Sequence, residues 1–376
     1  FTAKVADADF DADAVKIDIT GARDAAGNLQ EDHNATVELN VDTLNPDVPV
    51  INVTDGNATG AEAESPEGVF SVAGEAGSSI EVTLTGENDT VVKVVPGADG
   101  SAQAVSLAPA EVLALGDGTV QVSAAQTDEH GNLGASSSPV SFVLDTAAPV
   151  AGIEAEDDVA SFDVVTDADA AASGSVTVTV SFNEAMDTSV IPILTLSPDV
   201  TSSLAPVEVS EGEFGEWQDD GRTFVAEYTV TDAGVDENAV RIGVSGAKDV
   251  AGNLQADYTA ETEFNIDTEN PSTFGEPSVS GDGDDGVITD ADAGSTLTVS
   301  FSFDEPMDTA TAPVVGFTPD LLDPANGTLT DPSGSWDGDQ TYVFTAKVAD
   351  ADFDADAVKI DITGARDAAG NLQEDH

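Results

Sequence analysis

The amino-acid sequence predicts an all-β protein, organised as a tandem series of β-sandwich domains. Three observations predict this fold: short segments of alternating apolar and polar residues, turn motifs that recur at a fixed spacing, and no amphipathic helical pattern beyond one short turn at 109–115. Because alternation with a period of two places the apolar side chains on one face, such segments are typical of half-buried antiparallel strands.

Two motifs divide the chain. D-x-x-G-N occurs four times, and its Gly and Asn suit a turn that needs positive φ. D-T-x-x-P follows the first three copies after 18, 17 and 18 residues. The first motif begins at Asp24, Asp128, Asp249 and Asp367, and the second begins at Asp42, Asp145 and Asp267. Residues 1–33 and 344–376 are identical, which indicates a repeat that is longer than one domain.

The alternating segments lie at fixed places around these motifs. One precedes each D-x-x-G-N turn, as at Val15, Ile17, Ile19 and at Val240, Ile242, Val244, and one lies between the two motifs, as at Val140, Phe142, Leu144. Earlier strands are predicted at 175–182 and 296–303. Many short strands within about 100–120 residues are typical of an immunoglobulin-like sandwich. The chain is therefore predicted to form tandem immunoglobulin-like β-sandwich domains in an extended array.

Domain boundaries follow from the repeats. Residues 1–45 are the C-terminal part of one domain, 46–148 a short domain, 149–270 a long domain, and 271–376 a long domain without its last strand. The sequence that would complete the last domain matches 34–45. We expect a longer tandem array in which each domain contacts its neighbours.

The composition excludes several classes of function. Against 73 Asp and Glu there are 10 Lys and Arg, a net charge of −63, so neither nucleic acid nor an anionic membrane surface is an expected partner. No apolar run approaches 18 residues, and no direct membrane insertion is expected. Cysteine is absent, which excludes disulfides and Cys–metal sites, while a hydrophobic fraction of 40% suffices for packed cores.

The sequence resembles the immunoglobulin-like tandem repeats of giant bacterial surface and biofilm adhesins, including the extender regions of RTX-type adhesins. Residues 46–148 are similar to a short repeat, through 74–82, 115–120 and 128–132. The two long domains share F-x-E-x-M-D, at 182–187 and 303–308. The resemblance implies an extracellular stalk at a bacterial cell surface or in a biofilm matrix, stiffened by Ca²⁺ at domain junctions.

Carboxylates at the motifs are the candidate calcium ligands, because Ca²⁺ takes six to eight oxygen ligands. Each strand-end Asp precedes a linker, and acidic residues of 154–158 and 282–285 are candidates to complete a ligand set. The full set of candidates is Asp24, Asp42, Asp128, Asp145, Asp249, Asp267, and the recurring pairs Asp167, Asp169 and Asp290, Asp292. Within one hairpin, the Asp of the D-x-x-G-N turn and the Asp that ends the following strand would lie at opposite ends of that strand. A shared site therefore requires the turn of one domain to meet a different junction, or the segment after the turn to fold back. The alternative is that D-T-x-x-P is only a strand exit, with Asp capping the turn.

The predicted function is a non-enzymatic stalk, because no catalytic motif is present. Its expected partners are neighbouring repeats and other copies of the same protein. Two alternatives stay open. The first is a subunit of an extracellular fibre or surface layer that assembles by strand complementation between chains, since 271–376 lacks a final strand. The second is a glycan-binding module that uses Trp217 and Trp336.

Overall fold

A computed structural model describes residues 2–6, 8–31, 38–157, 164–210, 212–218, 221–281 and 286–374. Of the candidate acidic residues, 158 and 282–285 lie outside these ranges. The chain forms two compact units, Phe1–Pro149 with Lys248–Gln255, and Val150–Ala247 with Ala256–His376. No helix in the described ranges combines the length and the apolar character that crossing a membrane requires.

The first unit contains a hairpin and one sandwich. In the hairpin, β1 (Asp11–Lys16) pairs antiparallel with β2 (Glu38–Asp42). The sandwich contains β3 (Val50–Val53), β4 (Asn57–Thr59), α1 (Gly60–Glu64), β5 (Phe70–Ala73), β6 (Ser79–Thr85), β7 (Thr90–Val95), β8 (Gln103–Ala104), α2 (Pro109–Leu115), β9 (Gly118–Thr127) and β10 (Val140–Asp145). A five-stranded sheet, β4-β10-β9-β6-β7, and a three-stranded sheet, β3-β5-β8, enclose a core in which the rings of Phe70 and Phe142 stack 6.2 Å apart.

The second unit contains two sandwiches. The first is built from β11 (Ala151–Asp157), β12 (Val164–Thr166), α3 (Asp167–Ala171), β13 (Ser175–Phe182), β14 (Ile193–Ser197), β15 (Leu204–Pro206), β16 (Glu216–Gln218), β17 (Thr223–Val230), β18 (Asp236–Ser245) and β19 (Thr262–Asp267). Its two sheets have the orders β11-β13-β17-β15, with β16 also on β17, and β12-β19-β18-β14. Phe224, Ile242 and Ile266 are among the fully buried residues of its core.

The other sandwich of the second unit is built from β20 (Ser278–Ser280), a 3₁₀ turn (Asp290–Asp292), β21 (Thr296–Ser302), β22 (Val314–Thr318), β23 (Leu329–Asp337), β24 (Thr341–Val348) and β25 (Lys359–Thr363). One sheet has the order β20-β21-β24-β23, and in the other sheet the described residues form the pair β22-β25. Its core includes Val299, Phe317 and Ile362.

The predicted all-β fold is confirmed: immunoglobulin-like sandwiches form from the alternating segments. In β19, for example, Phe264 and Ile266 are 3% and 0% exposed. The short turn expected at 109–115 is a seven-residue helix, because Pro109 starts it and the Glu111 carboxylate accepts the N–H of Ala108. The domain boundaries drawn at the D-T-x-x-P motifs stay a prediction.

The strand that closes each complete sandwich has two partners. β10 pairs antiparallel with β9 and parallel with β4, and β19 pairs antiparallel with β18 and parallel with β12. The first and last parts of each complete domain are therefore joined side by side in one sheet.

One predicted strand is shorter than the alternation indicates. β1 ends at Lys16, and Ile17 and Ile19 are each 55% exposed. In the identical sequence near the end of the chain, Ile362 is fully buried in β25. The reason is that, in the part of the chain that the structure describes, β1 and β2 form a two-stranded sheet without a second layer over its apolar face.

Candidate metal centres

Each D-x-x-G-N turn is built around its Asp carboxylate. In the exposed copy, Asp24 Oδ1 accepts the N–H groups of Ala26 and Asn28, both at 2.9 Å, and Asp24 Oδ2 accepts the Asn28 side-chain amide at 2.9 Å. Gly27 has φ +94°, a conformation that favours glycine. Hydrogen bonds from Asn28 lower the pKa of Asp24, so this carboxylate is held ionised and in a fixed position.

The turn Asn also joins two consecutive domains. In each of three copies its side-chain amide donates to the backbone carbonyl of the strand-end Asp in the preceding domain. The pairs are Asn132 to Asp42 at 3.4 Å, Asn253 to Asp145 at 3.1 Å, and Asn371 to Asp267 at 2.9 Å. The turn of one domain therefore meets the strand end of the domain before it, which resolves the two arrangements left open by the sequence. No group of converging ligands among the described residues includes Asp24.

The junction nearest the start of the chain brings together Asp42, Asp128 and His130. Their ligand atoms lie within 4.8 Å of one another, and His130 Nδ1 is 2.8 Å from Asp42 Oδ2. Burial acts to raise the pKa of Asp128, but hydrogen bonds from Asn132 and from the turn amides outweigh it and lower the pKa. Because one ligand is an imidazole nitrogen, this donor set fits an oxygen-preferring ion such as Ca²⁺ less well than three carboxylates do.

At the second junction, within the first unit, Asp145 and the buried Asp249 face each other with Asp117 nearby. Burial raises the pKa of Asp145, and the negative charges of Asp249 and Asp117 add to the effect. Asp117 Oδ1 is positioned by the backbone N–H and hydroxyl of Thr146, at 2.8 and 2.7 Å.

The third junction, within the second unit, has a ligand set of oxygen atoms only. Asp267 ends β19, Glu305 belongs to the F-x-E-x-M-D motif, and Asp367 begins the last D-x-x-G-N turn. Carboxylate oxygens of the three residues lie within 4.8 Å of one another, and Asp367 is fully buried. The set was only partly predicted: of its three residues only Asp267 was among the candidates, whereas Asp367, which begins the fourth D-x-x-G-N turn, and Glu305 were not. Its recurrence in F-x-E-x-M-D is the sequence signal that identifies it.

Burial and repulsion between the carboxylates of this junction raise the pKa values of two of them. Burial, together with the charge of Asp367, raises the pKa of Asp267 to about 6. Burial, followed by the charges of Asp367 and Asp267, raises the pKa of Glu305 to about 8. A divalent cation between these groups would offset both effects.

Asp167 lies beside the same junction. Its backbone N–H donates to Asn371 Oδ1 at 3.0 Å, and its own Oδ1 is buried with no hydrogen-bond partner among the described residues. Burial raises its pKa, and Asp232 and Asp367 add to the effect. The unpaired carboxylate oxygen and the three converging carboxylates fit Ca²⁺, which is bound by oxygen ligands.

Two of the other three members of the predicted pairs have local side-chain partners. Asp169 Oδ2 accepts the N–H and hydroxyl of Thr166 at 2.7 and 3.0 Å, which caps α3. Asp292 Oδ2 accepts the same groups of Thr289, both at 2.8 Å. Asp290 is exposed at the start of the 3₁₀ turn. The structure places none of these three in a converging group among the described residues.

The two tryptophans of the glycan-binding alternative pack against aromatic neighbours. The Trp217 ring lies 5.6 Å from that of Phe182 and 5.4 Å from that of Phe224, and its indole N–H donates to the Val190 carbonyl at 3.1 Å. Trp336 likewise donates to the Thr311 carbonyl at 3.2 Å. This is the arrangement of an aromatic residue at the edge of a core.

The pKa values predict a pH dependence for the metal-free protein. The contribution of Glu305 to stability is complete below its ordinary pKa of 4.5 and is lost as the pH rises through about 8. That of Asp267 is complete below 3.8 and is lost as the pH rises through about 6. We therefore expect the unfolding free energy of this sandwich to fall from acid to alkaline pH, as measured by denaturant titration in EDTA. Glu305→Gln should flatten the alkaline part of the curve, and a rise in stability through that range would contradict the assignment.

No protein-family model and no curated protein matches the sequence. Solved structures are similar to this chain at low identity, among them the following three. One, from work on host cell surface retention of a 1.5-MDa bacterial ice-binding adhesin, is 23% identical with a TM-score of 0.37, and the match covers 86% of this chain and 94% of that chain. Another, a Ca²⁺-stabilized adhesin that helps an Antarctic bacterium reach out and bind ice, is 21% identical with a TM-score of 0.40, covering 96% and 79%. The FN1–FN3 domains of chicken CNTN1 are 10% identical with a TM-score of 0.24, covering 88% and 97%. The fold assignment rests on the strand pairing within this chain.

Proposed function

We propose that the chain is a non-enzymatic stalk segment of a large bacterial cell-surface adhesin, stiffened by Ca²⁺ at its domain junctions and supporting adhesion and biofilm formation outside the cell. The observation that carries the proposal is the contact between strand end and following turn, which recurs at three junctions with the same residue types. A contact that recurs at each junction gives a tandem array a repeated geometry, which is the property that a stalk needs.

Asp267, Glu305 and Asp367 would hold the ion at the best-formed junction, and the unpartnered buried oxygen of Asp167 is a candidate further ligand. A bound cation supplies positive charge among carboxylates that otherwise repel one another. Asn371 fixes the positions of two of these carboxylates, because its amide donates to Asp267 Oδ1 at 3.2 Å and to Asp367 Oδ2 at 2.9 Å. These two carboxylates are therefore held in place without an ion. Bound calcium would mainly neutralise their negative charge.

The same carboxylates would make the junction between consecutive domains respond to the calcium concentration. Without a cation, repulsion between residues of consecutive domains favours separation of the turn from the strand end. Where free calcium is abundant, the contact between turn and strand end is favoured, because the ion binds that state more tightly than the separated state. A chain of this kind would be looser at low calcium and stiffer outside the cell.

Small-angle scattering of the 376-residue chain tests the proposal. We expect the maximum dimension to become better defined and the flexibility to decrease when EDTA is replaced by excess Ca²⁺. Mg²⁺ at equal ionic strength is the control, since it demands near-ideal octahedral geometry and retains its waters, and it should have a smaller effect. Scattering curves that coincide in EDTA and in calcium would refute calcium-dependent stiffening.

A further inference from the structure

The junction nearest the start of the chain differs from the third junction in its third ligand. At the third junction that ligand is Glu305, which the F-x-E-x-M-D motif supplies. The short domain, 46–148, contains no F-x-E-x-M-D. Its D-x-x-G-N turn instead contributes the His130 imidazole, which converges with the carboxylates of Asp42 and Asp128. An imidazole in place of a carboxylate changes the class of ion that such a group suits.

The histidine is particular to this turn. The third position of D-x-x-G-N in the other three copies is alanine, at Ala26, Ala251 and Ala369. The turn does not need the imidazole, because the Asp24 copy makes the same hydrogen bonds between its Asp and its Asn as the Asp128 copy does. The contact of His130 with the preceding domain is therefore an addition to the turn and not part of its framework.

Hydrogen bonds hold the two carboxylates in place. Asp42 Oδ1 accepts the N–H of Leu44 at 2.9 Å, and Asp42 Oδ2 faces His130 Nδ1 at 2.8 Å. Asp128 Oδ1 accepts the N–H groups of His130 and Asn132 at 2.9 and 2.8 Å, and Asp128 Oδ2 accepts the Asn132 side-chain amide at 2.8 Å. Since a carboxylate oxygen has two lone pairs, both Oδ2 atoms keep one for an ion. Outer hydrogen bonds of this kind orient the ligands of metal sites.

The separations suit a small tetrahedral ion. Zinc bonds of about 2.0–2.2 Å to nitrogen and oxygen place tetrahedral ligands about 3.3–3.6 Å apart. The three ligand atoms here lie within 4.8 Å of one another, so small side-chain rotations suffice to reach that spacing. The His130 side chain is 52% exposed, which allows such a rotation and leaves a fourth position open to water. Three protein ligands and one water form a ligand set that Zn²⁺ takes, whereas Ca²⁺ takes six to eight oxygen ligands.

We propose that Asp42, Asp128 and His130 form a Zn²⁺ site. Asp42 ends a strand of the preceding domain, and the other two ligands belong to one turn of the short domain. The ion would therefore join consecutive domains at a junction where calcium fits poorly, and the stiffness of the array would depend on two classes of cation. The proposal rests on the contact between turn and strand end, but not on calcium binding at the other junctions.

Isothermal titration calorimetry of the full chain with Zn²⁺ tests the proposal. Excess Ca²⁺ in the buffer competes for the groups that contain only oxygen ligands, so that tight zinc binding reports a nitrogen ligand. We expect a single tight zinc site per chain. His130→Ala should weaken it by at least about tenfold, since loss of even an outer-shell partner costs about 10–100-fold in metal affinity. Equal zinc affinity in the variant and the wild type would overturn the proposal.

Two further variants separate the site from general binding of zinc to histidines and carboxylates. The other two histidines of the chain are His33 and His376, and replacing both with Ala should leave the tight site intact. His130→Asp places an oxygen the same number of bonds from Cβ as Nδ1. It should therefore weaken zinc binding and strengthen calcium binding, because carboxylate ligands suit Ca²⁺. Loss of the site in the first variant, or unchanged zinc affinity in the second, would contradict the assignment.

NMR spectra of the imidazole groups identify the ligand directly, because the chain has only three histidines. Zinc should shift the signals of His130 and leave those of the other two unchanged. Equal shifts of all three would mean an adventitious ion only, and an unshifted His130 would mean an ion pair with Asp42 and no metal; either result would overturn the proposal. A chain that binds zinc at His130 but does not stiffen in calcium would refute the calcium function alone, and the reverse result would refute the zinc site alone.

Discussion

Saturating calcium is expected to raise the melting temperature of the sandwich that carries Glu305 by about 10–20 °C. At a free concentration of about 100 times the dissociation constant, a site that binds only the folded state adds about 2.7 kcal/mol. For a domain of about 100 residues, each kcal/mol shifts the melting temperature by about 4–8 °C. Differential scanning calorimetry in calcium and in EDTA measures the effect. The transition of the sandwich that carries Asp128 and His130 should shift less, because its junction includes a nitrogen ligand.

The effect of Glu305→Gln on the melting temperature should have opposite signs in EDTA and in calcium. In EDTA, at a pH above the Glu305 pKa of about 8, the variant removes a repelling charge and should melt higher than the wild type. In calcium it lacks a ligand and should melt lower. Asp24→Asn, at an exposed turn outside every converging group of the described residues, is the control and should change neither value. A variant that melts lower than the wild type in both conditions would show that Glu305 has a packing role instead.

Replacing Asn371 with Ala is expected to destabilise the last junction by about 2–4 kcal/mol, because it leaves buried partners unsatisfied. Asn371 is 1% exposed, and its side chain contacts Asp367 Oδ2, the carbonyl oxygens of Asp267 and Glu269, and the N–H of Asp167. The chain supplies a matched control in Asn28→Ala, which lies in an identical 33-residue sequence but in an exposed turn.

Thermal unfolding of the two variants should therefore differ sharply. We expect Asn28→Ala to leave the melting temperature of every sandwich unchanged, and Asn371→Ala to lower that of the second unit. Equal effects would mean that the local turn, and not the junction, requires the Asn. No effect from either would mean that the junction contacts contribute little to stability.

The sequence was sufficient to predict most of the strands and several of the acidic residues at the junctions, because both depend on local patterns. Period-two alternation identified the cores, and the fixed spacing of the two motifs identified Asp267 and Asp145 as junction residues. The contact between a turn and the preceding domain depends on how consecutive domains pack. Local sequence patterns do not predict that packing. Glu305 was missed for a related reason: its motif was interpreted only as a marker of the long domain type.

Two further residues show that a recurring acidic position need not be a metal ligand. Asp169 and Asp292 recur at matching positions, which resembles a ligand pattern, yet each accepts the N–H and hydroxyl of a preceding Thr. A recurring Thr-x-x-Asp therefore marks a helix start here. Burial also depends on more than the local sequence: among the described residues Ile19 is 55% exposed whereas Ile362, its equivalent, is fully buried in the core of the last sandwich.

The parallel pairing at the ends of each complete sandwich has a mechanical consequence. β4 pairs in parallel with β10 over three residue pairs, and β12 with β19 over three. A force that pulls the two ends of such a domain apart acts along both strands in opposite directions. The hydrogen bonds between them are then loaded together in shear, and several must break at once before the domain extends.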